Sequence, residues 1–358
     1  MKLSCQDKKG SQPQHAGLAA PQSSYAAIDV GSHTIRLMIA QLSGPRELTP
    51  VHVGRAITRL AKDFQNSRQL SSASMEESLT VLKSYAVLLS RYNVQATACG
   101  ATGVMRRAAN TAEFQQIVRQ AAGLGLDILS EKAEAMLSAK GILSVLQNKA
   151  EMLLLFDLGG SSTEFLLIDP TQTEPVWDTS VFVGASTLTE RYLSADPVQG
   201  HQVRAAASAA QKEVKPVFDS VAAYLQDRGN SLDQLQLVGT AGTVTTLAAM
   251  HLQMEHYDPR RVNGLELSRS WLQEMTNQLQ KLPLAERRNI KGLEAGREDI
   301  ILGGAVIVLE IIDGLHRDRL TVTDAGLLEG LLLNLVEKDR GMFHTPLQTP
   351  LRWNWQNG

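Results

Sequence analysis

Two stretches of the chain place an aspartate at the end of an apolar run and follow it with a glycine-containing turn. Tyr25-Ala26-Ala27-Ile28-Asp29-Val30-Gly31-Ser32-His33-Thr34 is echoed by Leu154-Leu155-Phe156-Asp157-Leu158-Gly159-Gly160-Ser161-Ser162-Thr163. The chemistry this pattern suits is that of phosphate. Glycine lets backbone N–H groups come close to phosphate oxygens, and the carboxylate can hold a divalent cation directly or through water. Two such loops facing each other form a clamp, with Gly31, Ser32 and His33 in one jaw and Gly159, Gly160, Ser161 and Ser162 in the other. Asp-x-Gly also simply turns hairpins, but a long-period repeat reports the architecture itself. His33 either donates to phosphate or sits as a neutral turn residue.

A third loop, Val238-Gly239-Thr240-Ala241-Gly242-Thr243-Val244, runs from a strand through a Gly/Thr turn into a helix. There Gly242 and Thr243 either offer helix N-terminal amides to an anion or cap the helix. Farther on, Arg297 to Ala305 is expected to open a helix in which Gly303 and Gly304 permit close packing.

The elements that must hold these loops follow from hydrophobic periodicity. Strands are expected at Tyr25–Val30, Thr34–Leu42, Thr49–Ile57, Val94–Cys99 and Leu126–Leu129, with helices around Met75–Leu89, Thr111–Ala122 and Glu131–Gln147. The pattern restarts with strands at Met152–Asp157, Thr163–Asp169 and Pro175–Val183, helices at Ala185–Tyr192 and His201–Gln226, and a strand at Leu235–Val238. Three strands followed by strand-helix alternation, run twice, describe a duplicated α/β fold with mixed sheets and a ligand cleft between the halves. The expected division is a disordered tail over 1–24, a first domain over 25–130, a second over 131–338 and an extension over 339–358. The terminal helix, 325–336, is expected to pack back on the first domain.

The 358 residues suffice for two cores, and 35 basic against 37 acidic residues leave a net charge of −2. That balance excludes a protein holding nucleic acid by bulk charge. Two cysteines, Cys5 and Cys99, build neither a disulfide framework nor a zinc site, which fits a reducing cytoplasm. No apolar run reaches the roughly 20 residues of a spanning helix, and the N-terminal segment lacks the apolar centre of a secretory signal. A soluble cytoplasmic protein with no membrane partner is therefore expected.

Taken together, the segments resemble the exopolyphosphatase/guanosine pentaphosphate phosphohydrolase (Ppx/GppA) phosphatase family in its short two-domain form. That family lies within the ribonuclease H-like superfamily of actin, sugar kinases and heat-shock chaperone ATPases. The likeness runs from about Tyr25 to about Val336 and includes Thr58-Arg59-Leu60, Gly100 to Arg107, Gly184-Ala185 and the three loops. It implies a hydrolase releasing the terminal phosphate of inorganic polyphosphate or guanosine pentaphosphate, with guanosine tetraphosphate as a related ligand and a homodimer as an option. It also implies site residues. Ser130-Glu131-Lys132-Ala133-Glu134-Ala135 matches the helix that carries the family's water-activating glutamate, so Glu134 becomes the candidate base. Glu134 lies off the apolar stripe of Met136, Ala139, Leu143 and Leu146, on the face shared with Ser138 and Gly141. Asp157 and Glu164 match the acidic pair that positions magnesium, for which manganese is an alternative, and Asp29 is the corresponding carboxylate of the first loop. Arg106 falls at a phosphate-binding arginine, with Arg107 a second candidate, and a guanidinium suits a pair of phosphoryl oxygens.

Departures from the family pattern at Ser161, His33, Glu131, Ala133 and Ala61 leave the proposed acids in place but put substrate range in doubt. Two rivals therefore stay open: a small-molecule kinase of the same superfamily, and a non-hydrolysing protein that binds polyphosphate or an alarmone.

Overall fold

The computed structural model of the chain describes residues 23–62, 64, 68–146, 152–172, 174–342 and 347–355. The expected tail up to residue 22, and Gln147 of the expected third helix, lie outside the described residues; Ser24 already belongs to a strand.

Strands β1 (Ser24–Val30), β2 (Thr34–Gly44) and β3 (Glu47–Ile57) form an antiparallel meander. After helix α1 (Ser72–Arg91) the chain returns as β4 (Val94–Ala101), parallel to β1. Helices α2 (Val104–Arg107) and α3 (Thr111–Ala122) lead to the short β5 (Asp127–Ile128), and α4 (Glu131–Val145) leaves this sheet. The sequence of events then repeats. Strands β6 (Met152–Leu158), β7 (Thr163–Ile168) and β8 (Trp177–Val181) form a second meander, followed by α5 (Ala185–Tyr192), α6 (Gly200–Gln226) and β9 (Leu235–Thr240), parallel to β6. The remainder comprises α7 (Ala241–His251), α8 (Pro259–Val262), β10 (Glu266–Ser268), α9 (Arg269–Lys281), α10 (Leu284–Arg287), α11 (Ile301–Gly314), β11 (Arg319–Val322), α12 (Leu327–Asp339) and β12 (Arg352–Trp353).

The sheet orders are β12-β3-β2-β1-β4-β5 and β10-β11-β9-β6-β7-β8. Without the edge strands β12 and β10 the two orders are the same, so the chain is a duplicated, actin-like α/β fold. Two sequence expectations are corrected in detail. The helix expected from Arg297 begins only at Ile301, because Arg297 to Ile300 form a turn in which the Ile300 amide bonds the Arg297 carbonyl at 3.2 Å. The strand expected at Leu126–Leu129 shrinks to β5. Residues 347–355 of the expected extension are built into the structure. No helix among the described residues is long and apolar enough to cross a membrane.

Both sheets are covered on both faces, which is why their central strands are apolar almost throughout. In β1, Ala26, Ile28 and Val30 enter the core beneath α1 and α3, while Tyr25 and Ala27 face Leu328, Leu331 and Leu332 of α12. In β6, Phe156 and Leu158 enter the large core of the second half, while Leu153 and Leu155 meet Ala139, Ile142 and Leu143 of α4. Helix α4 thus lies between the sheets, with Leu137 in the cluster of the first and Ile142 in that of the second. Ser130 caps it by accepting the Ala133 amide at 3.2 Å, and so fixes where its first turn begins. The C-terminal segment crosses both halves. Leu347 joins the α4/β6 cluster, Leu351 joins the α12 cluster, β12 pairs with β3, and the Trp353 indole donates to Ser144 Oγ at 2.8 Å.

Helices α4 and α12 cross where neither has a side chain. A Cβ on Gly141 would lie 2.0 Å from the Gly326 carbonyl oxygen, and one on Gly330 would lie 1.9 Å from that of Leu137. Beside this crossing, Lys140 and Glu337 form a buried ion pair between the helices. Helix propensity alone makes Gly330→Ala stabilising by about 1 kcal/mol. Because backbone rather than a flexible side chain blocks the new methyl, the expected outcome is instead a loss of about 1–3 kcal/mol, read as a lower thermal midpoint. A midpoint at or above wild type would show that the helices part freely.

Candidate active site

Alternation along the strands brings the two loop aspartates to one place. Asp29 continues the face of Tyr25 and Ala27, and Asp157 that of Leu153 and Leu155. Both faces look onto α4, whose first turn carries Glu134. The Glu134 carboxylate receives a hydrogen bond from Arg106 Nη1, and the same nitrogen donates to the Leu129 carbonyl at 3.2 Å. Glu131 is a more distant partner, 3.9 Å from Arg106 Nη2.

Register then distinguishes the two halves. Asp29 stands directly opposite Arg36 in the β1/β2 pair, whereas Asp157 stands opposite Glu164 at the same position of β6/β7. Desolvation raises the Asp29 carboxyl to about 6 and Glu134 adds to this, while Arg36 opposes it. For Asp157, which opens onto the cleft on one side, desolvation is joined by two like charges, Glu164 and Glu134, and the carboxyl reaches about 7. Among the described residues no three His, Cys, Asp or Glu side chains form a ready-made metal cage. A facing carboxylate pair nonetheless fits magnesium, which takes one or two carboxylates and completes its shell with water and phosphate.

The two loops have the same internal bond: the Gly31 amide donates to the Thr34 carbonyl at 3.0 Å, and the Gly159 amide to that of Ser162 at 3.0 Å. Each loop is also tied from behind through its carbonyls. Ala61 donates to Ser32, Thr58 and Arg59 donate to His33, and the first amides of α5 donate to Gly159 and Gly160. Gly184 is required beside the second loop, since a Cβ there would lie 2.5 Å from the Gly160 carbonyl. With the carbonyls occupied, the amides of Ser32, His33, Gly160 and Ser161 bond no other described residue and remain available as donors. Two non-glycine residues hold left-handed backbone at this cleft, Arg59 with φ 47° and Ala241 with φ 72°. Such strain persists where surrounding structure enforces it, commonly at functional sites.

Not every expected side chain faces the site. Arg107 turns away from it, with its guanidinium stacked over Phe64 at 5.6 Å from the ring centroid. The Thr243 side chain is buried against Gly304 of α11, so only its amide belongs to the loop. Ser162 donates to Glu164 Oε1 at 2.6 Å, and the Ser32 hydroxyl accepts the Val104 amide at 3.1 Å, so both orient neighbours. Gly242 lies under the Arg297 guanidinium, which a Cβ would approach to 2.1 Å.

Beside the loops lies a cavity of about 1030 Å³. Thr34, Arg36 and Gly242 border the end nearest the loops, while Met254, Tyr257, Ile290 and Trp355 line other parts of its wall. Arg36 also reaches Asp324 across the halves at 3.7 Å. Sequence reasoning missed Arg36 and Arg297 as site residues. For Arg36 the signal was present, because it holds the place in the first repeat that Glu164 holds in the second. For Arg297, only its approach to Gly242 reveals it.

Comparison with known proteins agrees with this architecture. Residues 38–339 match the model of the Ppx/GppA phosphatase family. Exopolyphosphatase 2 of Mycobacterium tuberculosis (strain ATCC 25618 / H37Rv) is 29% identical over 322 residues, spanning 87% of this chain and 98% of that protein. The solved Aquifex aeolicus member of the Ppx/GppA family superposes with a TM-score of 0.74 at 28% identity, covering 89% of this chain and 99% of that one. An exopolyphosphatase from Cytophaga hutchinsonii shares the fold with a TM-score of 0.71 at 21% identity, covering 88% and 98%.

The raised carboxyls set a sign for stability. A carboxyl that binds its proton more tightly when folded contributes stability fully present below the ordinary aspartate range and lost as pH rises through its folded value. The metal-free protein is therefore expected to lose thermal stability as pH climbs from about 4 to about 6, for Asp29, and on to about 7, for Asp157. Asp157→Asn should flatten the upper part of this fall, leaving the shares of Asp29 and the buried Glu329, itself raised to about 7. Superimposable melting curves for wild type and variant across that range would refute the shift at Asp157.

Proposed function

The chain belongs to the Ppx/GppA phosphatase family, and from that premise we propose that it cleaves the terminal phosphate from inorganic polyphosphate by attack of water. The observation that carries this reading is the convergence of Glu134, Arg106, Asp29 and Asp157 where two equivalent Asp-x-Gly loops meet α4. Glu134 takes the proton of the attacking water. Arg106, which pairs with Glu134 at rest, turns a bidentate face to the phosphoryl oxygens when substrate enters. Free amides of the loops at Ser32, His33, Gly160 and Ser161, with those of Gly242 and Thr243 at the start of α7, hold the remaining oxygens. A magnesium ion held by Asp157 and Glu164 would neutralise charge developing on the transferred group, and manganese could take its place. The chemistry is one of positioning and charge, which explains the absence of any need for a nucleophilic side chain.

A second substrate, guanosine pentaphosphate, is favoured by the cavity. Inorganic polyphosphate has no use for Met254, Tyr257, Ile290 and Trp355, whereas a nucleoside beyond the phosphates would rest against them. The kinase and binding-protein alternatives are less well supported, since neither gives a role to the Glu134 carboxylate beside both loop aspartates. The cytoplasm is the compartment that accords with this reading.

Phosphate release measured with both substrates side by side tests the proposal. Glu134→Gln is expected to lower the rate about a hundred-fold or more while leaving affinity for polyphosphate largely intact, because the amide keeps the shape and cannot take the proton. A variant that keeps most of the activity would place the base elsewhere.

A further inference from the structure

At the cavity wall three charged side chains make a contact that the reaction as described does not use. Glu294 lies in the segment before α11 and is partly exposed. Its carboxylate accepts from Arg55 Nη1 of β3 at 3.0 Å and from Arg297 Nε at 2.5 Å. One arginine comes from each half of the molecule. The Arg297 guanidinium in turn rests on Gly242, in the first turn of α7.

A guanidinium at a helix N-terminus is an unfavourable juxtaposition, because both are positive. The surroundings add to the charge. Desolvation and the nearby Arg59, Arg55 and Arg297 all hold the His33 imidazole below its ordinary range. This locality therefore demands an anion, and two guanidinia beside free helix amides are the usual means of holding a phosphoryl group. In the unliganded protein the anion is a carboxylate of the chain itself. Burial works against the charge on Glu294, yet Arg297 and Arg55 outweigh it and keep the carboxyl below its ordinary range.

We propose that Glu294 is an internal stand-in for a substrate phosphate, occupying Arg55 and Arg297 at rest and displaced from them when the polyanion enters. The inference rests on the reading that a phosphoanhydride chain binds in this cavity. It makes Glu294 a determinant of affinity, since the incoming phosphate must compete with it, and leaves the bond-breaking step to Glu134 and its neighbours. The contact also links the halves, so displacement removes a clasp between β3 and the 288–297 segment as substrate arrives.

The test compares wild type, Glu294→Gln, Arg297→Ala and the double variant. Polyphosphate hydrolysis gives KM and kcat, and calorimetry gives the affinity for pyrophosphate. Glu294→Gln should lower KM and tighten pyrophosphate about five-fold, the scale set by releasing two partly exposed ion pairs, with kcat unchanged and the thermal midpoint slightly lowered by the lost clasp. In the Arg297→Ala background the same substitution should have a clearly smaller effect. If KM rises and pyrophosphate weakens, Glu294 serves instead to orient Arg297 and the proposal fails. Unchanged affinity overturns it as well. Should no variant release phosphate from polyphosphate, the functional reading falls, while the pyrophosphate affinities still decide whether Glu294 occupies an anion site.

Discussion

Helix α4 can occupy its place between the two sheets only because Gly141 and Gly330 let backbone meet backbone where it crosses α12. No side chain fits at that distance, so the crossing tolerates no alternative spacing. From it follows the height at which the first turn of α4 stands above the ends of β1 and β6, and hence the meeting of Glu134 with Asp29 and Asp157. The buried Lys140–Glu337 pair beside the crossing adds registry more than stability, since two charges withdrawn from water largely offset their own attraction. Ser130 completes the constraint by setting where the helix begins.

Duplication gave the protein two similar hairpins, and divergence at a single register position gave them different chemistry. Arg36 beside Asp29 makes the first loop nearly neutral and ties it to Asp324 of the other half. Glu164 beside Asp157 leaves the second loop with excess negative charge, a site that a divalent cation can relieve. The resting molecule deals with the opposite charge in the same manner, by pairing. Arg106 bonds Glu134, and Arg55 and Arg297 bond Glu294. The cleft is thus kept from exposing several uncompensated cations.

Much of this was legible before any coordinates. Continuous apolar runs reported the central strands because both faces of each sheet are buried, and the repeated Asp-x-Gly loops reported the duplication. The helix expected at Arg297 starts late because its polar leading residues form a turn that presents Arg297 to Gly242, a demand imposed by a distant loop. Arg106 and Arg107 are adjacent and chemically alike, and only the position of Phe64 tells which one leaves the site. Strand β12 is two residues long and finds its partner β3 across almost the whole chain, so local pattern carries no trace of it. The two glycines of the helix crossing, Gly141 and Gly330, read as ordinary helix glycines until their neighbours are known.

The same long-range closure governs how the molecule comes into being. Tyr25, Ala27, Met38, Ala40 and Leu48 present an apolar surface whose cover consists of Leu327, Leu328, Leu331, Leu332, Val336 and Leu351. Tyr25 further bonds Asp339 at 2.6 Å. On a translating ribosome, at roughly 5–20 residues per second, that surface waits on the order of tens of seconds for the segment that shields it. The half made first is the half finished last. During synthesis the nascent chain therefore offers a sticky sheet face to chaperones or to neighbouring nascent chains, and substitutions in α12 should show their harm first as reduced yield of folded protein.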